Sequence, residues 1–313
     1  MVLYLLKRLA SAIVLLVLVT TATFAVMYSS SENVVRSLVG ENATPEQLAQ
    51  RTSELGLDRP LWEQFASWAG KAVTGDFGIS YFTSEPVVVA VTNRLPATLS
   101  LVITSMIVLS IVSAVLGTLA AIRTGGALDR TLQVVTELFS SVPKFWLALI
   151  LVIAFALTVP IFPATGFVPL GEDPLGWAVA IFLPVMAIVL GELRVTSMVR
   201  GAVSDELSKD YVRTLRARGL KNSEILFRNV LRNAAPPWLT LMSMKFVALL
   251  GGTLVIEKVF ALPGLGSLAT NAALSGDVPV LLGVVVATVL IIVVVYLVFD
   301  LVQSWLNPKV RLQ

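Results

Sequence analysis

The chain of 313 residues contains no cysteine and no histidine. The first absence excludes disulfides, thiolate nucleophiles and Cys-ligated metals. The second removes the commonest general base and the commonest metal ligand, and with them a Ser-His-Asp triad or an HExxH zinc site. Charge is also scarce: only 14% of residues are Asp, Glu, Lys or Arg, against about 25% in soluble domains. What fills the space is apolar. Such residues make up 56% of the chain, and the mean hydropathy is +0.86. A water-soluble core of this length would leave large apolar patches exposed, so a bilayer is the expected solvent. The net charge of +3 matters less than where the charges fall.

A membrane helix needs about 20 apolar residues. Six stretches qualify: Leu9–Tyr28, Leu95–Ile122 with Pro96 at its first helical position, Thr131–Phe162, Leu175–Gly191 with a kink expected at Pro184, Ala234–Ile256, and Val278–Phe299. Lys7 and Arg8 precede the first stretch, as in a signal peptide. Its apolar run is about twice the usual length and no clean cleavage site follows, so a retained span is expected.

Short-loop Lys and Arg set the direction. One side receives Lys7 and Arg8, Arg123 and Arg130, nine basic residues from Arg194 to Arg232, then Lys309 and Arg311. The opposite short loops, 163–174 and 261–277, hold no Lys or Arg, only Glu172, Asp173 and Asp277. The expectation is an all-α polytopic protein of six spans with both termini cytoplasmic. It divides into 1–28, an external cap over 29–94 built from short helices, and a five-span core over 95–313. No low-complexity tract and no period of 20–50 residues interrupts this plan.

The loop at about 201–232 is too patterned for a linker. In DELSKDYVRTLRAR, residues 205–218, Tyr211, Val212 and Leu215 share one helical face, and Arg213 and Arg216 lie three apart on another. Gly219 ends that helix. Asn222 or Ser223 is placed to cap a second one, with Glu224 in its first turn and Leu226, Phe227, Val230 and Leu231 as its stripe. Pro236 and Pro237 mark the entry to the fifth span. Two bland readings compete with a docking element: an interfacial helix on anionic lipid, and plain positive-inside charge.

DYVRTLRARGL at 210–220 followed by LRNAAPP at 231–237 resembles the cytoplasmic loop of binding-protein-dependent ABC importer permeases, in the dipeptide, oligopeptide and nickel branch. GLDRPLWEQF at 56–65, GDFGISY at 75–81, RLPATLSL at 94–101, SVPKFWLALIL at 141–151, FPATGF at 162–167, VFALPGLGSL at 259–268 and DLVQSWLNPKVR at 300–311 match the same branch in order. The long first loop resembles the B-type subunit, which pairs with a C-type subunit.

The resemblance implies a type I importer fold in the bacterial cytoplasmic membrane and a non-catalytic translocation role. It also implies a partner permease, two cytoplasmic ABC ATPases that hold ATP and Mg, and an extracytoplasmic solute-binding protein that delivers peptide. No nucleic acid is implied, and no cofactor in this chain. Carried onto these residues, the ATPase-coupling segment is Tyr211, Val212, Arg213, Thr214, Leu215, Arg216, Ala217, Arg218, Gly219 and Leu220. Where the general family has Glu-Ala-Ala and this branch commonly Arg-Thr-Ala, the chain has Arg213-Thr214-Leu215, so Leu215 is the departure. Independently, the chain has no GxxxxGK[ST] phosphate loop. Its only Gly-Lys pair, Gly70-Lys71, lacks the flanking pattern.

Ionisable residues within spans cost several kcal/mol unless paired or wetted. Lys245 therefore either snorkels to the cytoplasmic interface, or faces the pathway, or pairs with Glu192 or Glu137. Glu257 either lines an external gate or forms an interfacial pair with Lys258. These three, Lys245, Glu257 and Glu192, are the pathway candidates. Gly251-Gly252 is read as a close-packing site and Lys144 as an interfacial anchor. An ion-gradient-driven secondary transporter is the competing class. It calls for inverted repeats and broken spans with acidic groups at the midplane, and no clear repeat is visible.

Overall fold

The computed structural model describes residues 2–28, 31–40 and 43–306; Lys309 and Arg311 of the topology argument lie outside them. Among the described residues everything regular is helical, apart from one isolated bridge between Ile79 and Pro86. The helices are α1 (Val2–Tyr28), α2 (Ser31–Val39), α3 (Pro45–Glu54), α4 (Leu61–Val73), α5 (Val87–Ile122), α6 (Ala127–Ser141), α7 (Lys144–Val152, extended by a π turn Ile153–Thr158) and α8 (Pro174–Gly191). They continue with α9 (Val195–Leu207), α10 (Asp210–Ala217), α11 (Asn222–Glu224, followed by a π turn Ile225–Val230), α12 (Leu231–Val259), α13 (Leu265–Ser275) and α14 (Val278–Leu306).

Five of these helical stretches are long and apolar enough to cross a membrane, and a sixth span results if the bent pair α6–α7 counts as one. Apolar side chains such as Leu18, Ile107 and Val294 remain more than half exposed on them, as lipid-facing residues do. The expected spans are corrected in three places. The third is not straight: α6 and the stretch Lys144–Thr158 meet at 94°. Pro143 is the cause. It offers no N–H and drives Val142 to extended backbone, φ −86° and ψ 129°. The second span starts at Val87 rather than Leu95, so Pro96 sits inside α5 and not at its first turn. In the fifth, Pro236 and Pro237 lie within α12 and do not mark its entry; the apolar helical stretch runs from Asn222 to Val259. Pro184 likewise lies within α8, which runs through to Gly191.

The chain divides into two compact units. One comprises residues 1–98 and 263–293. Of the 29–94 stretch, the described residues before Val87 form three short helices and a turn, and the rest is the start of α5. Thr44 and Gln47 start α3 with a reciprocal capping box, and Pro45 takes the first helical position. Phe65 and Trp68 of α4 then pack on Phe24 of α1 and on Val278 and Leu282 of α14. The Phe24 and Phe65 rings meet edge to face at 5.3 Å. Asp277, 4% exposed, clasps the 78–86 turn to this wall: it accepts a 2.5 Å hydrogen bond from Ser80 Oγ and one of 3.3 Å from the Tyr81 N–H. Burial and then the Asp277 charge push the Tyr81 phenol up to about 12. Val87 and Val91 pack with Leu265, Ala272, Val280 and Val284 in the second core cluster of this unit.

The other unit comprises residues 99–262 and 294–313. Its core draws on Leu101, Leu109, Ile181, Leu183, Ile188, Met242 and Leu249. It holds every residue of the sequence-derived coupling segment and all three pathway candidates.

Candidate functional site

The segment expected to couple, Tyr211–Leu220, is built from local rules. Sequence reading places residues 205–218 in one helix, but the structure breaks it at Ser208–Lys209: α9 ends at Leu207 and α10 begins at Asp210. Lys209 stands at the start of α10 and pairs with Glu206, whose carboxylate raises the pKa of the lysine. Asp210 occupies the first turn, where the helix dipole favours an anion. Gly219 closes the helix. Its φ of +82° is open to glycine with little strain, and the Gly219 and Leu220 N–H groups donate to the Arg216 and Leu215 carbonyls at 2.9 and 3.3 Å. This is the paired-bond ending that satisfies orphan carbonyls and turns the chain back.

The faces of α10 are sharply divided. Val212 is fully buried, and Tyr211, Leu215 and Leu220 are half-buried. The Tyr211 hydroxyl accepts a 3.4 Å hydrogen bond from Asn233 Nδ2 of α12. Arg213, Thr214, Arg216, Ala217, Arg218 and Gly219 are exposed. The Arg213 side chain, 78% exposed, pairs among the described residues with the still more exposed Asp210 at 3.4 Å. Beside α10 a hollow of about 600 Å³ opens against Ile122, Ile225 and Phe227, with Arg216 among the residues that line it. The Phe227 side chain is 70% exposed there. The second amphipathic helix expected after Gly219 is not separate. It is α11 and its π turn, running straight into α12. Lys221 rather than Asn222 or Ser223 holds the cap position, with no side-chain cap bond.

Other basic residues of this unit, Arg200, Lys144, Lys245 and Arg194, are held by carboxylates within it. The Arg200 guanidinium of α9 grips Asp129 of α6 through both carboxylate oxygens, at 2.5 and 2.7 Å. Asp129 is 1% exposed and also accepts from the Gly125 N–H at 2.8 Å and Gln133 Nε2 at 2.7 Å. The α5–α6 turn is thereby fixed to α9, the helix that leads into α10. Sequence reading missed this pair. The signal was Arg200 interrupting the apolar run of α9, but its partner lies 71 positions away.

Glu192, at the end of α8, receives two lysines. Lys144 Nζ and Lys245 Nζ lie 2.5 Å from its two carboxylate oxygens. Of the two partners weighed for Lys245, the structure supplies Glu192; Glu137 pairs with Arg194 at 2.8 Å. Lys144 is thus an ion-pair partner as well as the first residue of α7. Gly191 makes room for it: a Cβ there would stand 2.6 Å from Lys144 Cγ. The cluster ties α7, α8 and α12 together and carries one net positive charge. Glu257, on the last turn of α12, is 1% exposed and lies 3.4 Å from Thr253 Oγ1. At Gly251 and Gly252 a Cβ would stand in open space among the described residues, so neither glycine makes room for another helix of this chain.

Comparison with known proteins agrees with this architecture. Residues 113–312 match the family described as the binding-protein-dependent transport system inner membrane component, and residues 1–102 match its N-terminal companion. A Brucella abortus protein named as a peptide transport system permease is 34% identical over 307 residues, 98% of each chain. The dipeptide transport system permease protein DppB of Lactococcus lactis is 32% identical over 313 residues, with 100% of both chains covered. The metal-staphylopine import system permease protein CntB of Staphylococcus aureus is 32% identical over 317 residues, covering 98% of each. In fold, the chain is similar to one from the MetNI methionine ABC transporter in an inward-facing crystal form. The TM-score is 0.58 at 18% identity, over 72% of this chain and 100% of that one. Members of this family are multi-pass inner-membrane subunits. They work with a further permease, an ATPase and a binding protein, and are not themselves catalysts. The α10 loop signature, the helical core and the matches along the full length agree: the chain belongs to the ABC importer permeases, in the branch that includes DppB.

Proposed function

We propose that this chain forms one half of the pathway of an importer for di- or oligopeptides, and that Tyr211–Leu220 is the element on which an ATPase subunit docks. The division of α10 carries the reading: one face is anchored by Val212 and Leu215, and the other is a row of solvated arginines ended by Gly219. Apolar residues seat such an element, and the arginines steer an acidic partner surface to it. The neighbouring hollow with Phe227 offers apolar surface for the same contact.

Short-loop charge supports a cytoplasmic position for α10 and both termini, with the 29–94 cap outside. A C-type permease completes the pathway, two ATPases hold ATP and Mg, and a binding protein delivers solute to the cap side. Lys245, Glu192 and Glu257 are gate candidates. The three-residue charge cluster joins three helices at one point, so movement of any of them must break or carry it.

Relatives named for peptide and dipeptide transport support the substrate class. The relative named for metal-staphylopine import favours a second reading, a metal chelate carried whole. The absence of His and Cys argues against direct ligation of a metal by this chain.

The test is reconstitution of the complex in liposomes with Arg213→Glu and Arg216→Glu combined. The expected result is loss of ATPase co-purification, or ATP hydrolysis without dipeptide uptake. Normal assembly and uptake in that variant would reject the docking assignment. Uptake of a metal chelate but no dipeptide by the wild type would replace the substrate.

A further inference from the structure

The unit formed by residues 1–98 and 263–293 contains a cavity of about 360 Å³ that the coupling argument does not use. This lies within the roughly 300–1,000 Å³ of small-molecule sites. One face of α4 lines it: Glu63 and Gln64, Ser67 and Trp68, and Lys71 recur at helical spacing. Arg59 comes from the turn before α4, and Phe77 and Tyr81 come from the clasped turn. Phe24 and Leu282 supply further apolar wall.

Two cations beside this cavity are unpaired. Neither the Arg59 guanidinium nor the Lys71 ammonium has a carboxylate partner among the described residues, whereas nearby Arg51 is held by Glu54 at 2.8 Å. The indole N–H of Trp68 is buried and has no acceptor. A buried donor left unmatched costs about 1–3 kcal/mol, so in a native fold it calls for a missing partner. Two free cations and an orphan N–H beside aromatic rings describe a site for a carboxylate attached to an apolar group. Glu63 and Asp76 line the same cavity and also lack a cation partner among the described residues, which suits an ammonium at the other end of the same solute.

We propose that this cavity is a receiving site on the permease for a short zwitterionic peptide. Arg59, Lys71 and Trp68 take the C-terminal carboxylate, and Phe24, Phe77 and Tyr81 take the adjoining side chain. The proposal rests on the peptide reading above and on the cap lying outside the membrane.

The test uses the full complex in nanodiscs, without nucleotide or binding protein, and the probes alanyl-phenylalanine and its C-terminal amide. Wild type is expected to bind the free acid at least tenfold more tightly than the amide by calorimetry. Arg59→Gln with Lys71→Gln is expected to erase that preference while leaving amide binding unchanged. Trp68→Phe, which keeps the ring packing, is expected to weaken the acid a few-fold. Intact assembly and unchanged basal ATP hydrolysis show that the variants are folded. Equal binding of acid and amide, no binding of either, or a preference that survives the double substitution would overturn the proposal. Uptake of the dipeptide by the wild-type complex with its binding protein separates the two readings. Uptake without capture by the cap defeats this site alone, and absence of uptake defeats the peptide reading and this site with it.

Discussion

Arg200 and Arg213 stand thirteen positions apart in one basic stretch and do opposite things. Arg200 is spent on the fold: both carboxylate oxygens of a buried Asp129 bind it, and its side chain is only 24% exposed. Arg213 is 78% exposed and, among the described residues, its ion-pair partner is Asp210, itself in solvent. Buried, satisfied pairs cannot be halved cheaply, because the remaining charge stays desolvated. Exposed pairs contribute about 0–1 kcal/mol and are free to engage another chain. The same residue type is therefore structural on α9 and available on α10.

That contrast is open to direct attack. The largest effect is expected from Arg200→Ala. It strands Asp129, which Arg200 holds through both carboxylate oxygens, so the largest fall in stability is expected here. Thermal unfolding of the purified complex measures it. Adding Asp129→Asn should recover part of the loss. A fall in Tm no larger than that of Arg213→Ala would erase the distinction.

Glu192→Gln comes next, because it leaves Lys144 and Lys245 facing each other without a counter-charge. About 1.5–3 kcal/mol is expected from the loss of charged hydrogen bonds. Lys245→Met should cost less, since Glu192 keeps Lys144. Comparison of Lys245→Gln with Lys245→Met in an uptake assay then separates stability from transport. Equal, undiminished uptake in both removes Lys245 from the gate.

Gly219→Ala is smaller again. Placing a Cβ at φ +82° costs about 1–2 kcal/mol. The damage should be local, read as faster hydrogen exchange of the Leu220 amide, with reduced ATPase retention.

The smallest change in stability belongs to Arg213→Ala combined with Arg216→Ala. A shift within about 0.5 kcal/mol is expected for exposed sites. The same variant should nevertheless bind ATPase subunits several-fold more weakly in a pull-down, with the deficit growing at higher salt. Unchanged retention at all salt concentrations would sink the steering role.

Legibility in the sequence followed the range of the interaction. The α10 amphipathic pattern and its glycine end were readable because helix faces and caps depend on residues three or four apart. The break at Pro143 was also signalled by chemistry on the page, yet the apolar run around it hid a 94° turn inside one expected span. The Pro96 and Pro236-Pro237 expectations failed for the converse reason. Proline marks a boundary by local rule, but in an apolar setting the helix continues past one missing hydrogen bond.

Composition alone determined that this is a membrane protein, loop charge set the expected direction, and an ordered set of motifs led to its family. Both are one-dimensional properties: hydrophobic length and side-chain spacing can be counted along a chain. Which ionisable groups are consumed, and which are left for partners, was decided only by tertiary structure. Arg200 finds Asp129 across 71 positions and Lys245 finds Glu192 across 53. A charge is neutralised by what packing brings within about 3 Å of it, and no local pattern encodes that distance.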